Sequence, residues 1–148
     1  MTRRRSSATS TEVSAGGVVV RGGDVAVIVP TRRAASGAKV LALPKGHVDP
    51  GETAAQAAQR EVREEAGVEA RLVEQLGEVR YWYQRDGRRI PKLVTFFLFD
   101  YVSGDVEDHD HEVEHAEWMP LEDAARALTY KGERDMAARA LLRASASG

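Results

Sequence analysis

The chain has 148 residues, 43% hydrophobic and 30% charged, with a formal net charge of −2 at pH 7 and no cysteine. That length suits one globular domain with its own core and leaves no room for a second. The missing cysteines exclude disulfide frameworks, thiolate metal sites and cysteine nucleophiles and fit a reducing cytoplasm, and the charge balance gives long nucleic acids no overall attraction.

Taken in chain order, residues 1–11 carry Arg3, Arg4 and Arg5 ahead of small polar residues, without an apolar signal core, and read as a disordered basic tail. No run approaches the roughly 18 apolar residues of a membrane span. Residues 13–21 and 24–29 are apolar and β-branched and form a hairpin across Gly22-Gly23. Residues 39–43 follow as a short third strand. A helix is expected over residues 54–66, because a turn at Asp49-Pro50-Gly51 precedes it, Glu52-Thr53 stands where a cap belongs, β-branched residues are scarce, and Gly67 suits the C-terminal cap. Residues 70–83 and 90–102 are extended runs separated by Asp86-Gly87, a strong turn signal. A strand over residues 113–119 and helices over 121–128 and 135–143 complete a single domain spanning 12–143, with 144–148 frayed. Mixed strands with two or three packed helices predict an α+β or α/β sandwich.

The central helix carries the chemistry. Ala54, Ala55, Ala58, Val62 and Ala66 recur at helical spacing and form a stripe of small side chains suited to lying on a sheet. Glu61, Glu64 and Glu65 lie on neighbouring rows of the other side, where their carboxylates can converge on one hard cation, Mg²⁺ or Mn²⁺. On helix charges alone, the competing reading is a solvated surface helix whose Arg60 and Arg63 pair with nearby glutamates. The flanking residues decide between them. Gly46-His47-Val48-Asp49-Pro50-Gly51-Glu52, followed at fixed distance by Arg60-Glu61-Val62-Arg63-Glu64-Glu65-Ala66-Gly67-Val68, resembles the Nudix box of the MutT-like hydrolases at every defined position.

That resemblance implies an α/β/α sandwich and metal-dependent hydrolysis of a phosphoanhydride bond. It implies Glu61, Glu64 and Glu65 as metal ligands with the Gly46 carbonyl adding an oxygen, Arg60 orienting a box glutamate, and Glu52 tying the loop to the helix. A guanidinium fork holding carboxylates that would otherwise repel agrees with this. The family's general base is either a box glutamate, here Glu64, or a carboxylate on a later loop, here residues 107–115; Glu112 is the first choice and Glu114 the reserve. His109, His111 and His115 read as solvated bystanders, with a separate transition-metal site as the other option.

Leu43-Pro44-Lys45-Gly46-His47-Val48, Pro91-Lys92-Leu93-Val94, and His111-Glu112 ahead of Glu117-Trp118 resemble the asymmetric diadenosine tetraphosphate hydrolases. This implies that Lys45 and Lys92 contact a polyphosphate, and that Tyr83 with Tyr130 clamps a base. Tyr81 and Trp82 read as packing residues, and Arg80, Arg85, Arg88 and Arg89 as a possible basic rim. The expected substrate is therefore a small nucleotide, with ATP plus AMP as products, and the enzyme a monomer or homodimer without a membrane partner. A nucleoside triphosphate, ADP-ribose or nucleotide-sugar pyrophosphatase is the alternative. A nucleotide-sensing module is disfavoured because every box carboxylate is present.

Overall fold

The computed structural model describes residues 11–147, and side-chain surroundings through residue 144. The expected N-terminal tail falls, except for residue 11, outside the described residues.

Alternation along the first strand, β1 (Glu12–Arg21), sets the layering. Val18 and Val19 point to opposite faces of the sheet, and both are fully buried. Further along the chain come β2 (Asp24–Pro30), β3 (Lys45–His47), α1 (Ala54–Ala66), β4 (Val68–Arg85), β5 (Arg88–Gly104), β6 (Val113–Pro120), α2 (Leu121–Ala127) and α3 (Lys131–Ser147). The strands make one mixed sheet in the order β4-β5-β1-β2-β6, with β3 paired separately to β1. Only β1 and β5 run parallel, from Glu12 opposite Lys92 to Val20 opposite Asp100. On one face, Val19, Phe97 and Phe99 pack with Ala57, Ala58, Val62 and Ala66 of α1. On the other, Val18, Val94 and Phe96 pack with Leu121 of α2, Leu128 at its C-terminal cap, and Met136 and Ala140 of α3. Burying each such phenylalanine is worth about 1.5–3 kcal/mol, far more than any surface ion pair. The result is the expected helix-sheet-helix sandwich.

The second edge of β1 is shared, and this positions the site. Val20 and Arg21 pair with β2, whereas Ser14, Ala15 and Gly16 pair with β3. Gly17 allows α1 to lie directly on the sheet, since a Cβ there would stand 2.7 Å from Val62 Cγ2 and 2.8 Å from Phe99.

Most expected elements are present, and the helix over 54–66 has the expected bounds. Thr53 caps it: its Oγ accepts from the Gln56 N–H, and Gln56 returns a bond to the Thr53 N–H. Gly67 closes it in the left-handed region at φ 76°. The expected third strand over 39–43 is absent as a ladder; the segment makes a single bridge, Ala42 to Ile28. Leu41 N–H goes to Thr129 Oγ1 at 2.8 Å and Leu43 N–H to Glu133 Oε1 at 2.8 Å, only Ala42 N–H between them bonds the Ile28 carbonyl at 2.8 Å, and the next residue, Pro44, has no N–H. Pairing therefore begins at Lys45. Helix α3 starts at Lys131 and reaches Ser147, extending through the residues expected to fray as far as they are described. The loop after β5 contains a short 3-10 helix, Val106–Asp108, capped by the Asp105 side chain.

Candidate active site

Where β3 leaves β1 and meets α1, Gly46 lies against the carboxylate of Glu61, and a Cβ at that position would overlap it. Only glycine permits this approach. Around it is a cavity of about 320 Å³ lined by Arg32, Lys45, Gly46, His47, Asp49, Glu61, Glu65, Lys92 and Glu112. Cations and carboxylates thus line one pocket, the groups needed to hold phosphate oxygens and a metal ion together.

Arg60 organises the carboxylates from outside the lining. Its fork takes both oxygens of Glu52, at 2.7 and 2.9 Å, and donates to Glu61 at 2.9 Å and to Glu64 at 3.3 Å. It also donates to the His47 carbonyl at 2.9 Å, linking β3 to α1. These bonds hold Glu52 at a pKa of about 2, helped by the Asp49 N–H, and raise the pKa of Arg60 itself. Arg60 thus bonds Glu52, Glu61 and Glu64 at once. Glu61 behaves differently, because burial raises its pKa despite Arg60, with Glu64 and Glu112 adding repulsion. Glu65 is pushed up to about 7 by burial, against the opposing Lys45 N–H bond of 3.0 Å, with Glu61 and Asp110 adding to the rise.

The three box glutamates do not occupy equivalent places. Glu61 and Glu65 line the cavity, whereas Glu64 is exposed, pairs with Arg60, and lies outside the lining. The helix twist accounts for this: the Glu61–Glu65 pair shares a row that faces the sheet edge, and Glu64 is rotated toward solvent. Among the described residues, no group of three or more His, Asp or Glu side chains is arranged to hold a metal ion by itself.

Glu112 lines the cavity on an exposed loop, which is anchored by Asp110 N–H to the Glu64 carbonyl at 2.8 Å and by Thr31 N–H to the Glu112 carbonyl at 3.0 Å. Glu114 is held by Lys39 at 2.8 Å and Arg33 at 2.9 Å, which together lower its pKa and its value as a base. His109, His111 and His115 lie outside the lining, and His115 only approaches Glu117 at 3.5 Å.

Lys45 and Lys92 both reach the cavity, and burial together with Lys45 and Arg32 lowers the pKa of Lys92. The expected aromatic pair is different. Tyr83 donates its hydroxyl to Glu12 and lies under Arg85, and the ring that meets Tyr130 is Tyr81, edge-on at 6.5 Å. Glu12 extends from β1 across β5 to capture Tyr83, a long-range contact that strand alternation cannot show. The hairpin arginines do not line the cavity; Arg85 pairs with Glu12 at 3.0 Å and Arg89 stacks over Trp82. Arg32, His47, Asp49 and the buried Glu133 behind Lys45 were not singled out from sequence. His47 carried a signal, its alternation with Lys45, whereas Arg32 and Glu133 are brought in only by the fold.

A mixed sheet between helix layers, with a glutamate-rich helix and a glycine turn bordering a charged cavity, is the architecture of one nucleotide-processing family: the chain belongs to the NUDIX domain family, whose model matches residues 11–140. It is similar to a mutator protein, MutT4, of Mycobacterium tuberculosis, at 39% identity over 85% of this chain and 53% of the relative. It is also similar to the asymmetrical bis(5'-nucleosyl)-tetraphosphatase of Mus musculus, at 36% identity over 60% of each chain. A solved C. elegans Ap4A hydrolase binary complex superposes with a TM-score of 0.69 at 26% identity, covering 92% of this chain and 99% of that one. The chain spans only about half to three fifths of the length of these curated relatives. No helix among the described residues is long and apolar enough to cross a membrane.

Nudix hydrolases generally use divalent metal ions, and the donor set here fits one. The lining supplies carboxylate oxygens from Asp49, Glu61, Glu65 and Glu112 beside the His47 imidazole, Glu61 is buried and Glu65 half-buried among acidic neighbours, and the Gly46 backbone lies against Glu61. An incomplete protein shell suits Mg²⁺, which commonly takes one or two carboxylates and leaves other positions to water and substrate phosphates.

Proposed function

We propose that the chain is a divalent-metal-dependent pyrophosphohydrolase that cleaves a phosphoanhydride bond in a nucleoside diphosphate linked to another moiety. The proposed substrate is diadenosine tetraphosphate or a related dinucleoside polyphosphate, giving ATP plus AMP. The observation that carries this reading is the shared cavity, lined by Lys45, Lys92 and Arg32 together with Glu61, Glu65 and Glu112. Glu61 and Glu65, with the Gly46 carbonyl, would hold Mg²⁺ or Mn²⁺, and Glu64 would join from the rim. A bound divalent ion supplies charge neutralisation at the phosphate oxygens and acidifies bound water.

The remaining chemistry belongs to the chain's own residues. Lys45 and Lys92, flexible point charges, bind the phosphate chain and fix which phosphorus faces the carboxylates. Glu112, on a tethered loop at the cavity edge, accepts the proton of the attacking water. Arg60 keeps Glu52 and Glu61 from splaying apart while both remain ionised. Tyr130, beside Tyr81 at the start of α3, offers a flat face to a base. The relatives that hydrolyse dinucleoside tetraphosphates support this choice. A second reading, a nucleoside triphosphate or nucleotide-sugar pyrophosphatase, is favoured by one observation: Tyr83 is committed to Glu12 and leaves the expected two-sided clamp with Tyr130 unformed.

The test is product analysis by anion-exchange chromatography after incubation with Mg²⁺ and diadenosine tetraphosphate, alongside nucleoside triphosphates, ADP-ribose and capped RNA. ATP plus AMP as the fastest-formed products supports the first reading. Preferential cleavage of another panel member overturns it in favour of that substrate.

A further inference from the structure

Glu133 lies in the first turn of α3 and has no exposed surface, although it is a carboxylic acid side chain. Its Oε1 accepts the Leu43 N–H at 2.8 Å, and its Oε2 stands 3.0 Å from Lys45 Nζ. The two anchor points straddle Pro44, so one carboxylate braces the whole turn that enters β3. A neutral amide could accept the Leu43 bond equally well. A carboxylate at this depth therefore needs another reason, because burying one is costly unless a cation compensates it.

Lys45 supplies that cation, and its position explains why a tether is useful. Its backbone N–H already bonds Glu65 Oε1 at 3.0 Å, so the root of the side chain sits beside the cavity carboxylates. An untethered four-carbon stem can fold back and place its ammonium on Glu65 or Glu61, neutralising the end of the cavity that would take a metal. Pairing with Glu133 Oε2 gives the ammonium a fixed partner outside those carboxylates, while its charge still acts on Glu65. The contact is an ion pair by distance, the buried Tyr81 hydroxyl also lies against the Glu133 carboxylate, and donor positions on Nζ remain for a phosphate oxygen.

We propose that Glu133 is a positioning residue that holds the Lys45 ammonium away from the α1 carboxylates, keeping the phosphate-binding and metal-binding ends of the cavity apart. The inference rests on the proposed function in taking this cavity as a metal and phosphate site. It extends that site to a residue on α3, on the opposite face of the sheet from α1.

The test uses the full chain with Mn²⁺ alone and no nucleotide, followed by calorimetry, together with a metal-free crystal structure. Glu133→Gln keeps the Leu43 bond and removes the charge. It is expected to weaken Mn²⁺ binding roughly 10–100-fold, the usual effect of losing an outer partner of a metal site. Adding Lys45→Met to that variant restores binding to within a few-fold of wild type, which a merely structural loss would not allow. In the metal-free crystal, Lys45 Nζ of Glu133→Gln sits on Glu65 or Glu61. Wild-type Mn²⁺ affinity in Glu133→Gln, or a loss that Lys45→Met does not relieve, overturns the proposal. Failure of wild type to bind Mn²⁺ refutes the metal reading instead, and the position of Lys45 in the metal-free crystal then decides the tether by itself. Should Glu133→Gln not fold, Glu133→Asp, which retains charge but shortens the reach, is read in the same ways.

Discussion

Replacing Arg60 with methionine keeps an unbranched stem and removes the fork that donates hydrogen bonds to three carboxylates. Arg60 is 23% exposed, Glu52 21% and Glu61 11%, so these pairs are mostly shielded from water. Removing one partner of a buried ion pair costs about 3–5 kcal/mol, and partial solvation discounts this to about 2–3 kcal/mol. For a domain of this size that corresponds to a melting temperature lower by roughly 4–12 °C. The loss depends on pH in a defined direction. Glu52 is depressed from 4.5 to about 2 in the folded chain, so the stability it contributes is present above 4.5 and disappears as pH falls toward 2. Glu61 is raised by burial, and without Arg60 it resists ionisation further, which penalises the variant as pH rises above 4.5. Both groups make the variant's deficit large at neutral pH and small in acid. Urea unfolding of both proteins at about pH 7 and about pH 3, without metal, measures it. A deficit below about 0.5 kcal/mol at neutral pH, or one equal at both pH values, would refute the clamp.

Three further outcomes are expected. Glu65→Gln abolishes turnover in steady-state assays while leaving the fold intact. Because the folded pKa of Glu65 is raised to about 7 from 4.5, its favourable contribution is present below 4.5 and lost as pH rises through 7, so metal-free Glu65→Gln gains stability over wild type across that interval in thermal scans. Tyr130→Ala raises the Michaelis constant for adenine nucleotides roughly 5–150-fold, the equivalent of a 1–3 kcal/mol stacking contact, and an unchanged constant rejects the stacking role. Gly46→Ala forces the Glu61 carboxylate from its seat, so Mn²⁺ binding weakens in calorimetry more than stability falls; unaltered Mn²⁺ affinity argues against Gly46 and Glu61 as a joint site.

The glutamate helix, its caps and the hairpin turns were legible in the sequence because local forces determine them. Thr53 and Gly67 satisfy the ends of their own helix, and Asp86 and Gly87 adopt φ values of 53° and 76° that a tight hairpin requires. The roles of Arg60 and Glu52 were implied by the family resemblance, and the two residues pair within one continuous turn-helix unit. Residues 39–43 were misjudged as a paired strand because the Leu41 and Leu43 N–H groups are claimed by Thr129 and Glu133, about 90 positions away along the chain. Tertiary structure likewise decided that Glu61 and Glu65, rather than Glu64, line the cavity, that Tyr81 rather than Tyr83 meets Tyr130, and that Arg32 joins the phosphate side. Sequence by itself determined which chemical groups are available and the short elements that carry them. Which of those groups share one cavity depends on sheet order and the rotation of α1 over it, and these are settled by burying Val62, Phe96 and Phe99 rather than by the charged residues themselves.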